Sequence, residues 1–153
     1  MIDVETEGEG WGAHGLNLEA LSATAAMAVL QHRQIEGGVT ILLTDNDELT
    51  ELNLRFRNLD KPTNVLAFPA GENPENHLGD IAVAYGVCAA EAELEGKSLN
   101  HHLQHLVTHG VLHLLGYDHE TDAQAAEMEG LERQILAGLG IADPYAAERG
   151  DDG

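Results

Sequence analysis

The sequence is short of positive charge. Its 153 residues hold seven Lys and Arg against 27 Asp and Glu, which gives a formal net charge of −20 at pH 7. A chain of this charge repels bulk polyanions, so the overall composition argues against a nucleic-acid partner. Three of the seven bases, Arg55, Arg57 and Lys61, nevertheless fall in one short segment, and a local basic patch can outweigh the average charge near itself.

Cysteine and long apolar runs are also scarce. The only cysteine is Cys88, which excludes a disulfide within the chain and favours the reducing cytoplasm. Because Cys88 lies in an alanine-rich stretch, we expect a small packing residue and not a nucleophile. No run approaches the length of about 18 apolar residues that a membrane span needs, so no association with a membrane is predicted.

Helix and strand patterns are mixed without a regular βαβ repeat, which favours the α+β class. Helices are predicted at Asn17–Gln34, from a capping box at Asp45 and Glu48 to before Pro62, at Val87–Glu95, from the cap at Ser98 to Leu115, and at Asp122–Leu139. Strands are predicted at Ile2–Thr6, Val39–Leu43, Asn64–Phe68 and Gly79–Tyr85, with a polar loop at Ala70–Leu78. We therefore expect one domain over residues 1–142, in which a small mixed sheet packs with about five helices. Residues 143–153 are expected to form an acidic, loose tail.

The segment most informative about chemistry is His109–His119, which reads HGVLHLLGYDH. His109 and His113 are four residues apart, so both imidazoles project from one face of a helix. Gly116 follows where a left-handed conformation would end the helix and let His119 turn back toward the same point. Three neutral imidazoles leave a fourth tetrahedral position open, as in catalytic zinc sites. The spacing predicts a site for one zinc ion, and imidazole ligands also accept nickel or copper.

The same offsets occur in H-E-x-x-H-x-x-G-x-x-H, the zinc signature of metzincin proteases. In those enzymes the glutamate after the first histidine takes a proton from the attacking water. Here that position is Gly110, which has no side chain for the task. Peptide hydrolysis is therefore disfavoured, although another carboxylate could substitute.

Other polar residues near the motif have more than one interpretation. His105 lies one turn before the first of the three histidines on the same stripe, and we expect it to line the cleft behind the ligands. Asp118 either orients a ligand histidine or caps a turn. His101 and His102 lie further away and are expected to face the solvent.

Two further segments stand beside HGVLHLLGYDH over His109–His119, namely LNLRFRNLDKPTNVLAFP over Leu52–Pro69 and LGDIAV over Leu78–Val83. These three motifs, in the right order, resemble the YbeY family, bacterial endoribonucleases that cut single-stranded RNA and act in ribosomal RNA maturation. Weaker matches are EMEGLERQIL over Glu127–Leu136 and DPY over Asp143–Tyr145. The resemblance covers most of the chain, and it implies an α+β fold with a cleft that holds one metal ion on the three histidines.

The resemblance also implies roles for the basic residues. The arginine of the family's LN-x-x-[YF]-R motif maps onto Arg57, which becomes the expected catalytic residue because a guanidinium stabilises charge on a phosphodiester. Without the resemblance, the better interpretation of Arg57 is a surface arginine paired with Glu51 or Asp60. Arg55 and Lys61 are expected to contact backbone phosphates or to be solvated charges.

The function implied is that of a zinc-dependent, single-strand-specific endoribonuclease in 3′-end processing of small-subunit ribosomal RNA and in ribosome quality control. Ribosomal RNA and ribosomal or other proteins are the implied partners. Metal-activated water and the RNA 2′-OH both remain candidates for the nucleophile. Two other interpretations stay open, a zinc metalloprotease-like amide hydrolase and a non-catalytic ribosome assembly factor with structural zinc.

Overall fold

The computed structural model describes residues 1–12 and 17–145. Its strands are β1 (Ile2–Thr6), β2 (Gly38–Thr44), β3 (Val65–Pro69) and β4 (His77–Ala84). Its helices are α1 (Glu9–Gly12), α2 (Leu18–Arg33), α3 (Asn46–Arg57), α4 (Tyr85–Leu94), α5 (Leu99–Leu114) and α6 (Asp122–Gly138). Over these described ranges, no helix has both the length and the apolar character that crossing a bilayer would require.

The strands form one four-stranded mixed sheet in the order β1-β2-β4-β3. β1, β2 and β4 are parallel, whereas β3 runs antiparallel to β4 at one edge. The compact apolar run of β2 suits its central position, and Val39, Ile41 and Leu43 are all buried there. The mixed sheet surrounded by helices confirms the predicted α+β class.

Helices cover both faces of the sheet. On one face α2, α5 and α6 form the larger core, in which Val29, Leu112 and Met128 are almost fully buried. On the other face α3 contributes Leu49 to a smaller core that includes Leu66 of β3. The edge strand β3 therefore lies between α5 on one face and the end of α3 on the other.

Two glycines let α5 lie close to the sheet. A Cβ at Gly79 would lie 2.4 Å from the carbonyl oxygen of Phe68 and 2.6 Å from Cδ2 of Leu114, so no larger residue fits between β3 and α5. A Cβ at Gly110 would lie 3.1 Å from Cδ1 of Ile81. Close packing at these two positions fixes α5 beside the edge of the sheet.

Some predicted boundaries are wrong. β4 begins at His77, inside the predicted loop, because the Asn73 side chain closes that turn through hydrogen bonds of 2.8 Å and 2.7 Å with the His77 backbone. Tyr85, predicted as the end of that strand, instead begins α4. The one-turn helix α1 was not predicted; it places Trp11 in the core, where Nε1 donates to the carbonyl of Thr44 at 2.8 Å.

The single cysteine is a packing residue, as predicted. Cys88 is fully buried in α4. Burial, helped by the negative charge of Glu91, raises the pKa of the Cys88 thiol to about 12. The thiolate that a nucleophile requires is therefore not formed near neutral pH.

Most of the predicted tail, residues 146–153, lies outside the described residues. Within the described part, the Tyr145 hydroxyl donates a hydrogen bond to Glu132 of α6 at 2.8 Å. The division of the chain at residue 142 stays a prediction.

Candidate metal centre

Helix α5 and the loop after it bring three histidines together. His109 and His113 lie on successive turns of α5, near its end at Leu114. Gly116 has a positive φ of 101°, which lets the chain reverse and return His119 to the pair. One ring nitrogen from each histidine lies within 4.8 Å of the other two. The three histidines therefore form a group that could hold a metal ion.

The spacing of the ring nitrogens suits a small tetrahedral ion. Nε2 of His109 lies 3.1 Å from Nε2 of His113. Two imidazole nitrogens at about 2.0–2.1 Å from a tetrahedral zinc ion would be separated by about 3.3 Å. The ring of His119 is centred 5.4 Å from that of His109 and 5.1 Å from that of His113. His109 and His113 thus have the spacing of two ligands of one zinc-sized ion, and His119 lies close enough to offer a third nitrogen.

The protonation state of His113 is appropriate for a ligand. Burial lowers the pKa of His113, and positive charge on His109 and His119 lowers it further. The carboxylate of Asp118 and a hydrogen bond with the Tyr117 backbone act in the opposite direction without reversing the shift. Because metals bind the neutral imidazole, His113 is ready to act as a ligand near neutral pH.

A buried carboxylate lies behind the side of α5 that carries His109 and His113. Glu132, whose side chain is only 1% exposed, accepts hydrogen bonds from Nδ1 of His109 at 3.2 Å and Nε2 of His105 at 2.6 Å. The Tyr145 hydroxyl donates to the same carboxylate at 2.8 Å. Because an ionised carboxylate only accepts hydrogen bonds, Nδ1 of His109 carries the proton and Nε2 keeps its lone pair for a metal.

The charge of this carboxylate is maintained by its partners. Burial alone would raise the pKa of Glu132, but the hydrogen bonds and positive charge of His105 and His109 outweigh it and hold the pKa at about 2. Glu132 is therefore ionised near neutral pH. A fixed negative charge behind a ligand histidine sets its tautomer and increases its basicity toward a metal.

The three histidines line a cleft of about 1150 Å³ that follows the edge strand. Residues 63–69, which include all of β3, line it as well, and the end of α3 adds Phe56 and Arg57. Along β3, Ala67 packs toward the core under α5, whereas Phe68 packs toward the core under α3. The cleft therefore runs around the edge of the sheet, from the histidines to the end of α3.

Of the three bases predicted to meet RNA, the structure brings only Arg57 into the cleft. The side chain of Arg57 is exposed, and it has neither a hydrogen bond nor an ion pair with any of the described residues. Glu51, its expected alternative partner, is instead paired with Nη2 of Arg55 at 2.7 Å. Lys61 is exposed outside the lining, where its carbonyl accepts a hydrogen bond from Asn53 at 2.9 Å.

The two residues predicted to support the ligands differ in their contacts. His105 reaches the histidine group only through Glu132, which it shares with His109. Asp118 lines the cleft, and its Oδ1 accepts a hydrogen bond from the backbone N–H of His119 at 2.8 Å. Asp118 also acts on the charge of His113, so both alternatives for Asp118 stay open.

The prediction that His102 faces the solvent is wrong, whereas His101 is exposed as predicted. His102 is 3% exposed, and its Nε2 is hydrogen-bonded to Oε1 of Glu91 at 2.9 Å. Burial lowers the pKa of His102, against the opposing effect of Glu91. Glu91 also accepts from the Asn64 side chain at 3.2 Å, so His102 belongs to a polar network between α4, α5 and β3.

Sequence reasoning missed Glu132 as a partner of the centre. The sequence pattern that could have identified Glu132 is its position on the buried face of α6. Met128 lies one turn before it, Ile135 and Leu136 lie one turn after it, and all three are buried. An acid at such a position needs buried partners, because an isolated buried charge is costly. The sequence alone does not say that the partners are His105 and His109.

Known proteins are similar to this chain in sequence, and a solved structure is similar to it in fold. The profile of the family described as Endoribonuclease YbeY matches residues 13–140. The chain is 51% identical over 152 residues to Endoribonuclease YbeY of Azorhizobium caulinodans, and the match covers 95% of this chain and 96% of that protein. It is 50% identical over 129 residues to Endoribonuclease YbeY of Chelativorans sp. strain BNC1, with coverage of 81% and 79%.

A solved structure gives an independent comparison. The solution structure of TM1509 from Thermotoga maritima is 31% identical in sequence and has a TM-score of 0.64, with 99% of this chain and 94% of that chain covered. The sequence match and the fold match therefore each extend over most of the chain. This chain belongs to the YbeY endoribonuclease family.

Proposed function

We propose that this protein is a zinc-dependent endoribonuclease that cuts single-stranded RNA. The observation that carries the proposal is one cleft that contains three converging histidines and the exposed cation of Arg57. The relatives from Azorhizobium and Chelativorans, at about half identity, bear the name endoribonuclease.

The residues of the cleft divide the chemistry between them. Zinc held by His109, His113 and His119 would supply Lewis acidity, which activates an attacking hydroxyl group and offsets charge on a phosphate oxygen. The guanidinium of Arg57 would donate parallel hydrogen bonds to the non-bridging oxygens as their negative charge increases. Glu132 keeps His109 in the tautomer that binds metal.

Amide hydrolysis is less well supported than RNA cleavage. Position 110, where a metzincin has its glutamate, lies against Ile81 with room for little beyond a glycine. Glu132, the carboxylate behind the histidines, is occupied by His105 and His109. A purely structural zinc is also less well supported, because three histidines that open into a cleft leave a fourth position free.

The biological role that we propose is maturation of ribosomal RNA, at the 3′ end of the small-subunit RNA, together with ribosome quality control in the cytoplasm. A net charge of −20 weakens non-specific attraction to RNA. We therefore propose that a ribosomal or other protein partner helps to dock the enzyme. Arg55 and Lys61, exposed outside the cleft lining, would add outer phosphate contacts.

A panel of substrates tests the proposed reaction. The zinc-loaded protein is expected to cleave labelled single-stranded RNA and to cleave the same sequence in a duplex at least about tenfold more slowly, because the bases of a duplex are paired and stacked and are not free to contact side chains. An all-2′-deoxy strand distinguishes the nucleophiles, since attack by the 2′-OH requires that group. Cleavage of an unfolded protein substrate without cleavage of RNA would contradict the proposal.

Glu132→Gln is expected to weaken zinc binding by about 10–100-fold, as is usual when the group behind a metal-bound histidine is changed. Glutamine keeps the shape of the side chain but removes the negative charge that orients His109. The affinity is measured by competition with a chromophoric chelator. Glu127→Gln, on an exposed position of the same helix, is the matched control. Equal zinc affinity in Glu132→Gln and wild type would show that this carboxylate does not support the metal.

A further inference from the structure

One aromatic side chain is exposed, and it lies in the cleft. The chain has one Trp, three Tyr and two Phe, and all of them fall within the described residues. Only Phe56 is exposed, at 60%, and it lines the same cleft as the three histidines. Most of the Phe56 ring is therefore open to the cleft, where an apolar contact with a ligand would remove it from water.

The ring of Phe56 is supported from below. Its centroid lies 5.1 Å from that of Phe68, with the two planes tilted by 59°. Phe68 is itself fixed against the smaller core beside Leu66. Arg55 lies near the ring at 5.9 Å, at the outer limit of a cation–π contact, while its guanidinium is held by Glu51. The ring is thus a supported apolar platform with most of its surface open.

The neighbours of this platform identify the partner that fits it. Arg57, the next residue, carries a positive charge into the same cleft and suits a phosphate. A nucleotide combines a flat aromatic face with a phosphate, and so fits both side chains. Bases of single-stranded RNA commonly stack on aromatic side chains, and such stacking tolerates any base.

We propose that Phe56 stacks on an unpaired nucleobase adjacent to the phosphate that Arg57 contacts. This inference rests on the proposed function, and it gives a physical reason why the enzyme would prefer single-stranded RNA to a duplex. A base inside a duplex has both faces covered by its neighbours and cannot offer one to Phe56. Stacking at Phe56 therefore favours single-stranded substrate without reading its sequence.

Steady-state cleavage by Phe56 variants tests the inference. Phe56→Leu keeps an apolar side chain without an aromatic face, and its KM for single-stranded RNA is expected to increase about tenfold with little change in kcat. Phe56→Tyr keeps the face and should retain the wild-type KM. Leu54→Ala, a substitution of another exposed residue on α3 outside the cleft lining, should leave both constants unchanged.

A second measurement locates the stacked base. RNA with a single abasic nucleotide next to the cleaved bond should raise the KM of the wild type about as much as Phe56→Leu does, and should not raise the KM of Phe56→Leu further. Wild-type cleavage with the same KM for intact and abasic RNA would overturn the inference, as would equal KM values for wild type and Phe56→Leu. In both cases the proposed function stands, because the wild type still cuts RNA. A zinc-loaded wild type that neither binds nor cuts RNA overturns the proposed function and this inference together.

Discussion

Arg57→Ala is expected to lower kcat/KM for RNA cleavage by about 10²–10³-fold, the usual cost of removing a donor that stabilises charge in a transition state. The Arg57 side chain is exposed and has no polar partner among the described residues, so the fold and the histidine group should be unaffected. The measurement is steady-state cleavage of labelled single-stranded RNA, with the zinc content and the thermal midpoint determined on the same preparation.

Two further variants make this test specific. Arg57→Lys keeps the charge but loses the planar fork of donors, so only part of the activity should return. Arg55→Ala removes an exposed base that is already paired with Glu51 at 2.7 Å, and activity should fall by no more than severalfold. Cleavage by Arg57→Ala at the wild-type rate would remove Arg57 from the mechanism.

The convergence of the histidines was predictable because every step in it is local. Ser98 caps the start of α5, where its side chain accepts a hydrogen bond from the backbone N–H of His101. Once the helix is given, the four-residue offset puts His109 and His113 on one face. A glycine three residues further on, at Gly116, permits the reversal that the structure shows.

The contact of Glu132 with the histidines of α5 was not predictable, because it depends on how α6 packs against α5. Glu132 contacts His109 across 23 positions of sequence, from α6 to α5. Helical periodicity places Glu132 on a buried stripe but does not give the rotation of α6 against α5. The burial of His102 was missed for the same reason, because it depends on the packing of α5 against α4, where His102 contacts Glu91.

The choice among the basic residues shows a similar limit. Arg55 and Arg57 are two positions apart on α3, and a helix turns by about 200° over two residues, so they point in nearly opposite directions. Helical periodicity shows that the two side chains point in different directions, but it does not show which of them faces the cleft. The family motif selected Arg57, and the structure places that residue and not Arg55 in the lining.

His113→Ala is expected to remove both the bound metal and the cleavage activity. Nε2 of His113 lies 3.1 Å from Nε2 of His109, so the two imidazoles are placed to bind the same ion. Two imidazoles alone do not make a catalytic zinc site, which ordinarily has three protein ligands. His101→Ala is the matched control, because it removes an exposed histidine from the first turn of the same helix.

The central claim is that the three-histidine centre holds the metal on which RNA cleavage depends. The most direct test measures bound zinc and RNA cleavage on the same samples of wild type, His113→Ala and His101→Ala. Wild type and His101→Ala should each bind about one zinc ion per chain and cut single-stranded RNA, and His113→Ala should do neither. Cleavage by metal-free His113→Ala at the wild-type rate would contradict the claim, as would a wild type fully loaded with zinc that leaves RNA intact.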